Sequence, residues 1–107
     1  MYDKTRKDLE AMIELLENDG SRWSLFFQKA MVAFEQGEYQ HCGEIILSGS
    51  GGMGSLNDLV LGQTKGEDGK FQWKKGYEEI NNSYQELLSS LYVFAQGMRH
   101  AANKRVN

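Results

Sequence analysis

At 107 residues, with 40% hydrophobic and 25% charged side chains, the chain has the size and composition of one globular domain that can bury a core, which excludes disorder as the starting expectation. Its 15 acidic and 12 basic residues give a net charge of -3 without the clustered positive face that neutralises phosphates, so nucleic acid is not an expected partner. The lone Cys42 excludes an intrachain disulfide, the opening Met1-Tyr2-Asp3-Lys4 lacks signal-peptide character, and no apolar run is long enough to cross a membrane; together they lead to the expectation of a cytoplasmic protein.

The chain contains no proline, which leaves long helices unbroken, and ten of its 12 glycines fall between Gly37 and Gly76. A helical front, a glycine-rich middle and a helical tail follow. The first helix is predicted over about residues 4–18, because Leu9, Met12, Ile13 and Leu16 share one face. Asp3 or Thr5 is its expected cap, the latter with Asp8 in a weak capping box, and Asn18-Asp19-Gly20 its expected stop. Ser21 is positioned to cap a second helix reaching about Gln36, whose stripe Trp23, Phe26, Phe27, Ala30 and Phe34 reads as core in preference to a stacking platform. Gly37 separates it from a third, shorter helix, Glu38 to Ser48, which turns Cys42, Ile45 and Ile46 inward.

Beyond the third helix the pattern weakens. Ser55 is placed to cap a single turn starting at Leu56, while Leu59-Val60-Leu61 also fits a short strand. Asp68-Gly69 signals a tight turn, and the alternation in Phe71-Gln72-Trp73 suggests a small hairpin with Leu59–Leu61. The strongest periodicity is in the tail. There Tyr77, Ile80, Tyr84, Leu87, Leu88, Leu91, Phe94, Ala95 and Met98 mark one face of a helix to about Ala102, with the segment from Arg99 to Asn107 expected to project or fray. The fold expected is mainly α, a single four-helix bundle-like domain with a glycine-rich turn and room for a small β-hairpin.

Few constellations in this sequence point to chemistry. Gly51, Gly52 and Gly54 suggest a phosphate loop, but Ser55 is followed by Leu56, not the Lys-Ser/Thr pair of a nucleotide loop, and the preceding segment reads as helix, not strand. A structural turn is the better reading, with Asn57 and Asp58 capping or bonding the nearby backbone or, alternatively, offering a recognition surface. His41 and Cys42 are adjacent, but helical neighbours diverge by about 100° and cannot easily share a target. With one Cys and two His there is no zinc-type ligand set, so no metal or cofactor is expected, and Cys42 reads as a small buried hydrophobe.

The least generic stretch is Gly51-Gly52-Met53-Gly54-Ser55-Leu56-Asn57-Asp58-Leu59, preceded by Ile46-Leu47-Ser48. It resembles a motif of small bacterial proteins in which a glycine-rich turn follows a helix, the match covering roughly Cys42 to Leu61. Those proteins are similar to the immunity proteins of polymorphic toxin systems, including contact-dependent growth inhibition. The resemblance implies a non-catalytic cytoplasmic protein that binds and neutralises a cognate toxin domain. A basic toxin would be steered by acidic patches, for which Glu67, Asp68, Glu78 and Glu79 are the candidates, with Trp73 as an aromatic anchor. Two rival expectations remain. One is a helical module that self-associates, as a homodimer for example, through Tyr92, Phe94 and Met98 of the long tail; the other is a small enzyme or ligand-binding protein using the Gly51–Asp58 loop.

Overall fold

The computed structural model describes residues 2–50 and 55–106. Four helices make up most of the chain: α1 (Asp3–Asn18), α2 (Trp23–Glu35), α3 (Tyr39–Ser48) and α4 (Tyr77–Val106). Between α3 and α4 come a 3-10 turn at Leu56–Asp58 and an antiparallel hairpin of β1 (Gln63–Lys65) and β2 (Phe71–Trp73). The main packing runs α1 to α2, α2 to α3, α3 to α4 and α4 back to α1, closing a ring. α1 and α2 run antiparallel, Arg6 lying near Glu35 and Glu17 near Gln28, while Glu44 of α3 meets Arg99 of α4 and Asp8 of α1 meets Ser90 of α4. The protein is therefore a mainly α single domain of bundle type.

The apolar faces read from the sequence meet in one core. Leu9, Met12 and Leu16 of α1 face Phe27, Ala30, Met31 and Phe34 of α2, Cys42, Ile45 and Ile46 of α3, and Tyr84, Leu88, Leu91 and Ala95 of α4. Trp23 and Phe26 are only half-buried and flank this core. Both tight connections close in the same way. Ser21 N–H donates to Leu16 O (2.9 Å) and Gly20 N–H to Glu17 O (3.0 Å), and Glu38 and Gly37 repeat the pattern on Ala33 and Phe34. Gly20 and Gly37 adopt φ values of 72° and 77°, the left-handed geometry this motif needs.

Three local expectations change, besides that for Ser55, which precedes the 3-10 turn but makes no side-chain cap bond to it. α1 starts at Asp3 with Tyr2 as its flanking residue, and neither Asp3 nor Thr5 caps it by a side chain. Tyr2 is held instead by ring packing on Tyr39, Phe94 and Phe34, which fixes the first turn by tertiary contact, while Asp8 bonds Lys4 and Ser90. At α2 the flanking residue is Arg22, and Ser21, one position earlier, accepts Trp23 N–H on its Oγ at 3.2 Å. At the other end α4 is helical through Val106, beyond the expected end near Ala102. The Arg99 guanidinium forks onto Glu44 (3.0 and 2.7 Å), tying that end to α3, and this pairing holds the Glu44 carboxyl below its ordinary range.

The third change is the hairpin. Phe71–Trp73 pairs with Gln63–Lys65, not with Leu59–Leu61. The three-residue loop Glu67-Asp68-Gly69 closes between Gly66 and Lys70, whose 2.8 Å bond fixes the register, and reaching Leu61 from Phe71 would need a far longer loop. Leu61 is instead buried as an anchor at 1% exposure. Among the described residues no helix is long and apolar enough to cross a membrane.

α3 and α4 approach closely at Gly43, where an added Cβ would lie 3.2 Å from Met98 Cβ and 3.3 Å from both Ala95 Cα and Ala95 O. Two of those atoms are backbone and cannot swing aside. Replacing Gly43 by Val is expected to push the helices apart and destabilise the fold by about 1–3 kcal/mol, read as a lower urea midpoint with an unchanged slope.

Candidate functional site

The part of the molecule that does not serve its own core is the hairpin. None of its six strand residues is buried; Phe71 is 72% exposed and Trp73 51%. Phe71 and Trp73 lie on one face of the ribbon, and Trp73 stacks on Tyr77 at the start of α4 with ring centroids 4.4 Å apart and planes at 27°. That face is a solvent-exposed aromatic strip of the kind enriched at protein interfaces.

The root of the hairpin is held firmly, in contrast to its exposed blades. Asn81 of α4 uses its side-chain amide as a strand would: Oδ1 accepts Leu61 N–H at 2.8 Å, and Nδ2 donates to Leu61 O at 2.8 Å and Tyr77 O at 2.9 Å. Asp19, just past α1, accepts Gly62 N–H at 3.0 Å and lies 3.5 Å from Lys74 Nζ. Lys74 N–H in turn donates to Gly62 O at 2.7 Å. Gly62 sits at φ 81° against α4, where an added Cβ would fall 2.6 Å from Tyr77 Cβ, so only glycine fits. One step earlier, the buried Tyr84 hydroxyl donates to Leu56 O (2.7 Å), and Leu56 N–H donates to Gly49 O (2.9 Å). The hairpin thus projects from a junction of α1, α4 and the 3-10 turn.

The sequence candidates distribute unevenly over this arrangement. Trp73, Glu78 and Glu79 gather at the root, where the Tyr77 hydroxyl donates to Glu78 at 3.2 Å. Glu67 and Asp68 occupy the tip, on the order of 10 Å away at strand rise, and Asp68 accepts Lys70 N–H at 3.0 Å to shape the turn. Lys65, Lys70, Lys74 and Lys75 interleave with these four carboxylates, so the hairpin and the start of α4 present mixed charge, not an acidic patch. Asn57 accepts from the Tyr92 hydroxyl at 3.0 Å, a structural role, while Asp58 is exposed beside it. Gly51, Gly52 and Gly54 lie outside the described residues. Sequence reasoning does not single out Phe71, Asn81 or Asp19: Phe71 reads only as part of an alternating strand, Asp19 as part of a helix stop, and an Asn inside a polar helix face carries no sequence mark of its role.

A groove of about 550 Å³ lies between α1 and α4, and at one end Lys4 donates to Asp8 (2.9 Å) and to Ser90 (2.6 Å). Cys42 is fully buried and His41 exposed, so the adjacent pair faces different surroundings; burial raises the Cys42 thiol to about 11. Among the described residues no group of three or more His, Cys, Asp or Glu is arranged to hold a metal ion.

Residues 16–70, just over half of the chain, match the family model DUF6966, a domain of unknown function. The chain belongs to the DUF6966 family. The match runs from the last turn of α1 through α2, α3 and β1 to the hairpin loop, and stops before β2 and α4. Curated proteins and solved structures gave no match.

Two outcomes follow from these contacts. Replacing Asn81 by Ala strands the Leu61 N–H and C=O, and is expected to cost about 1–3 kcal/mol in denaturant unfolding and to speed hydrogen exchange at Leu61 and Gly62. Cys42, protonated well above neutral pH, should resist an aromatic disulfide reagent at pH 8 in the native protein and react at once in denaturant; fast native labelling would contradict its burial.

Proposed function

We propose that this chain is a non-catalytic protein-binding module, a bacterial immunity protein that binds a cognate toxin domain in the cytoplasm and neutralises it by occlusion. The observation that carries the reading is the exposed hairpin. Ordering a residue's backbone costs roughly 1–2 kcal/mol, normally offset by burial, and here the ribbon buries none of its six strand residues in its own fold. A rigid root and bare aromatic blades suit a surface that completes its burial on a partner, with little ordering cost left at binding. The Gly51–Leu59 resemblance to immunity-type proteins supplies the biological setting.

Self-association through α4 is the weaker alternative. Tyr92 and Phe94 are half-buried against the core and Met98 is half-buried at the α3 crossing, which leaves Val93, 71% exposed, as the main free apolar side chain of that stretch.

The test is capture by the tagged chain from its native lysate with the mass of the eluted complex. A toxin domain recovered at one-to-one stoichiometry is expected, together with protection of growth when the two are co-expressed. Trp73→Ala is expected to weaken that complex by about 2 kcal/mol, roughly thirtyfold, without loss of helical signal. Recovery of the chain alone at dimer mass would replace this reading by self-association.

A further inference from the structure

The hairpin's hydrogen-bond pattern says more than its exposure does. Gly66 N–H donates to Lys70 O and Lys74 N–H to Gly62 O, so the pairs 66–70 and 62–74 are the hydrogen-bonded kind. Bonded and non-bonded pairs alternate in an antiparallel ladder. Thr64 and Gln72 therefore exchange bonds across the ribbon, and Lys65–Phe71 and Gln63–Trp73 do not. The backbone N–H and C=O groups of Phe71 and Trp73 consequently point away from β1, along the outer edge of β2. Among the described residues the sheet has two strands, so no strand pairs with that edge.

Resting on the protein-binding reading above, we infer that the outer edge of β2 is a strand-docking edge that takes an extended acidic segment of the partner protein as a third, antiparallel strand. The side chains select this occupant. Phe71 and Trp73 line one face of β2, and Lys70, Gln72 and Lys74 alternate onto the other, Lys74 sharing its charge with Asp19 at 3.5 Å. A segment alternating apolar and acidic residues would lay its apolar side chains beside the aromatics and its carboxylates beside the lysines. Main-chain bonds then give affinity and the alternating side chains give selectivity.

A second copy of this chain does not fit. The register that uses both Phe71 and Trp73 sets each Phe71 across from the other copy's Trp73, and each Lys70 across from the other copy's Lys74. Two like-charge pairs directly opposite one another oppose this dimer, the usual effect of lysines on an edge strand. Glu67 and Asp68 beyond one end, and Glu78 and Glu79 beyond the other, confine the acid-binding stretch to about the length of β2.

The experiment is an amide NMR titration of the full chain with a blocked heptapeptide of alternating Val and Glu. Controls are a Val/Lys peptide and two Val/Glu peptides, N-methylated at one or the other alternating set. Shifts centred on the Phe71 and Trp73 amides are expected, with slowed exchange there. Affinity should exceed that of the Val/Lys peptide by about tenfold, as expected of two opposed charge pairs. Only the N-methyl set that removes the edge-facing donors should abolish binding, and Lys70→Glu, which leaves one lysine and one carboxylate on that face, should remove the charge preference. Equal affinity for the two charge types, shifts confined to other elements, or binding that survives both methylations would overturn the inference. These readouts need no toxin. A failed titration with successful toxin capture removes the docking edge and leaves the immunity reading; a successful titration without toxin capture keeps the edge and removes that reading.

Discussion

A phenol buried in a helical core has to bring its hydroxyl to an acceptor, and Tyr84 brings its own to the carbonyl of Leu56, 2.7 Å away. Burial pushes the phenol's ionisation well above its ordinary range, so the group acts as a fixed neutral donor. This contact, with the Asn81 amide one turn earlier, fastens the segment after α3 to the middle of α4. The consequences spread outward. Leu56 and Leu61 complete the core from a segment that is not α-helical, Gly62 turns against Tyr77, and the hairpin leaves the bundle at a defined place. Without a partner for the Tyr84 hydroxyl, the core would hold an unsatisfied polar group, and the loop would lose its seat.

The molecule divides into a bundle that buries most of its apolar side chains and a ribbon whose six strand residues are all exposed. In the bundle, Gly43 lets α3 approach α4 closely, and the Glu44–Arg99 fork holds the long helix against its neighbour. In the ribbon, main-chain groups and aromatic side chains face solvent on the same strand. Firm seating matters to binding because a disordered hairpin would have to be ordered at the moment of docking. Asp19 and Asn81 make that investment during folding, with bonds to Gly62 and Leu61.

The mixed charge of the hairpin bears on what it can meet. Glu67, Asp68, Glu78 and Glu79 invite a basic partner when read as a string of letters, yet four lysines stand between and beside them. Alternation places Lys70 and Lys74 together on one face of β2, whereas Glu67 and Asp68 are in the turn and Glu78 and Glu79 in the first turn of α4. Steering at long range follows the net charge of -3, while register at contact follows the local lysines.

By itself the sequence determined the four helices, their inward faces and the glycine stops at Gly20 and Gly37. Those features follow from a 3.6-residue period and from backbone conformations that are local properties of the chain. It also marked Phe71-Gln72-Trp73 as a strand and Asp68-Gly69 as its turn. Tertiary structure alone decided which segment pairs with that strand, because Leu59–Leu61 and Gln63–Lys65 were both within reach. Burial of Leu61 under the Asn81 amide removed the first of them from the ladder. The start of α1 at Asp3, set by the rings around Tyr2, and the exposure of Phe71 were likewise outside local patterning. An alternating strand announces that one face is apolar, and only the packed neighbours determine whether that face meets a core or is left for another molecule.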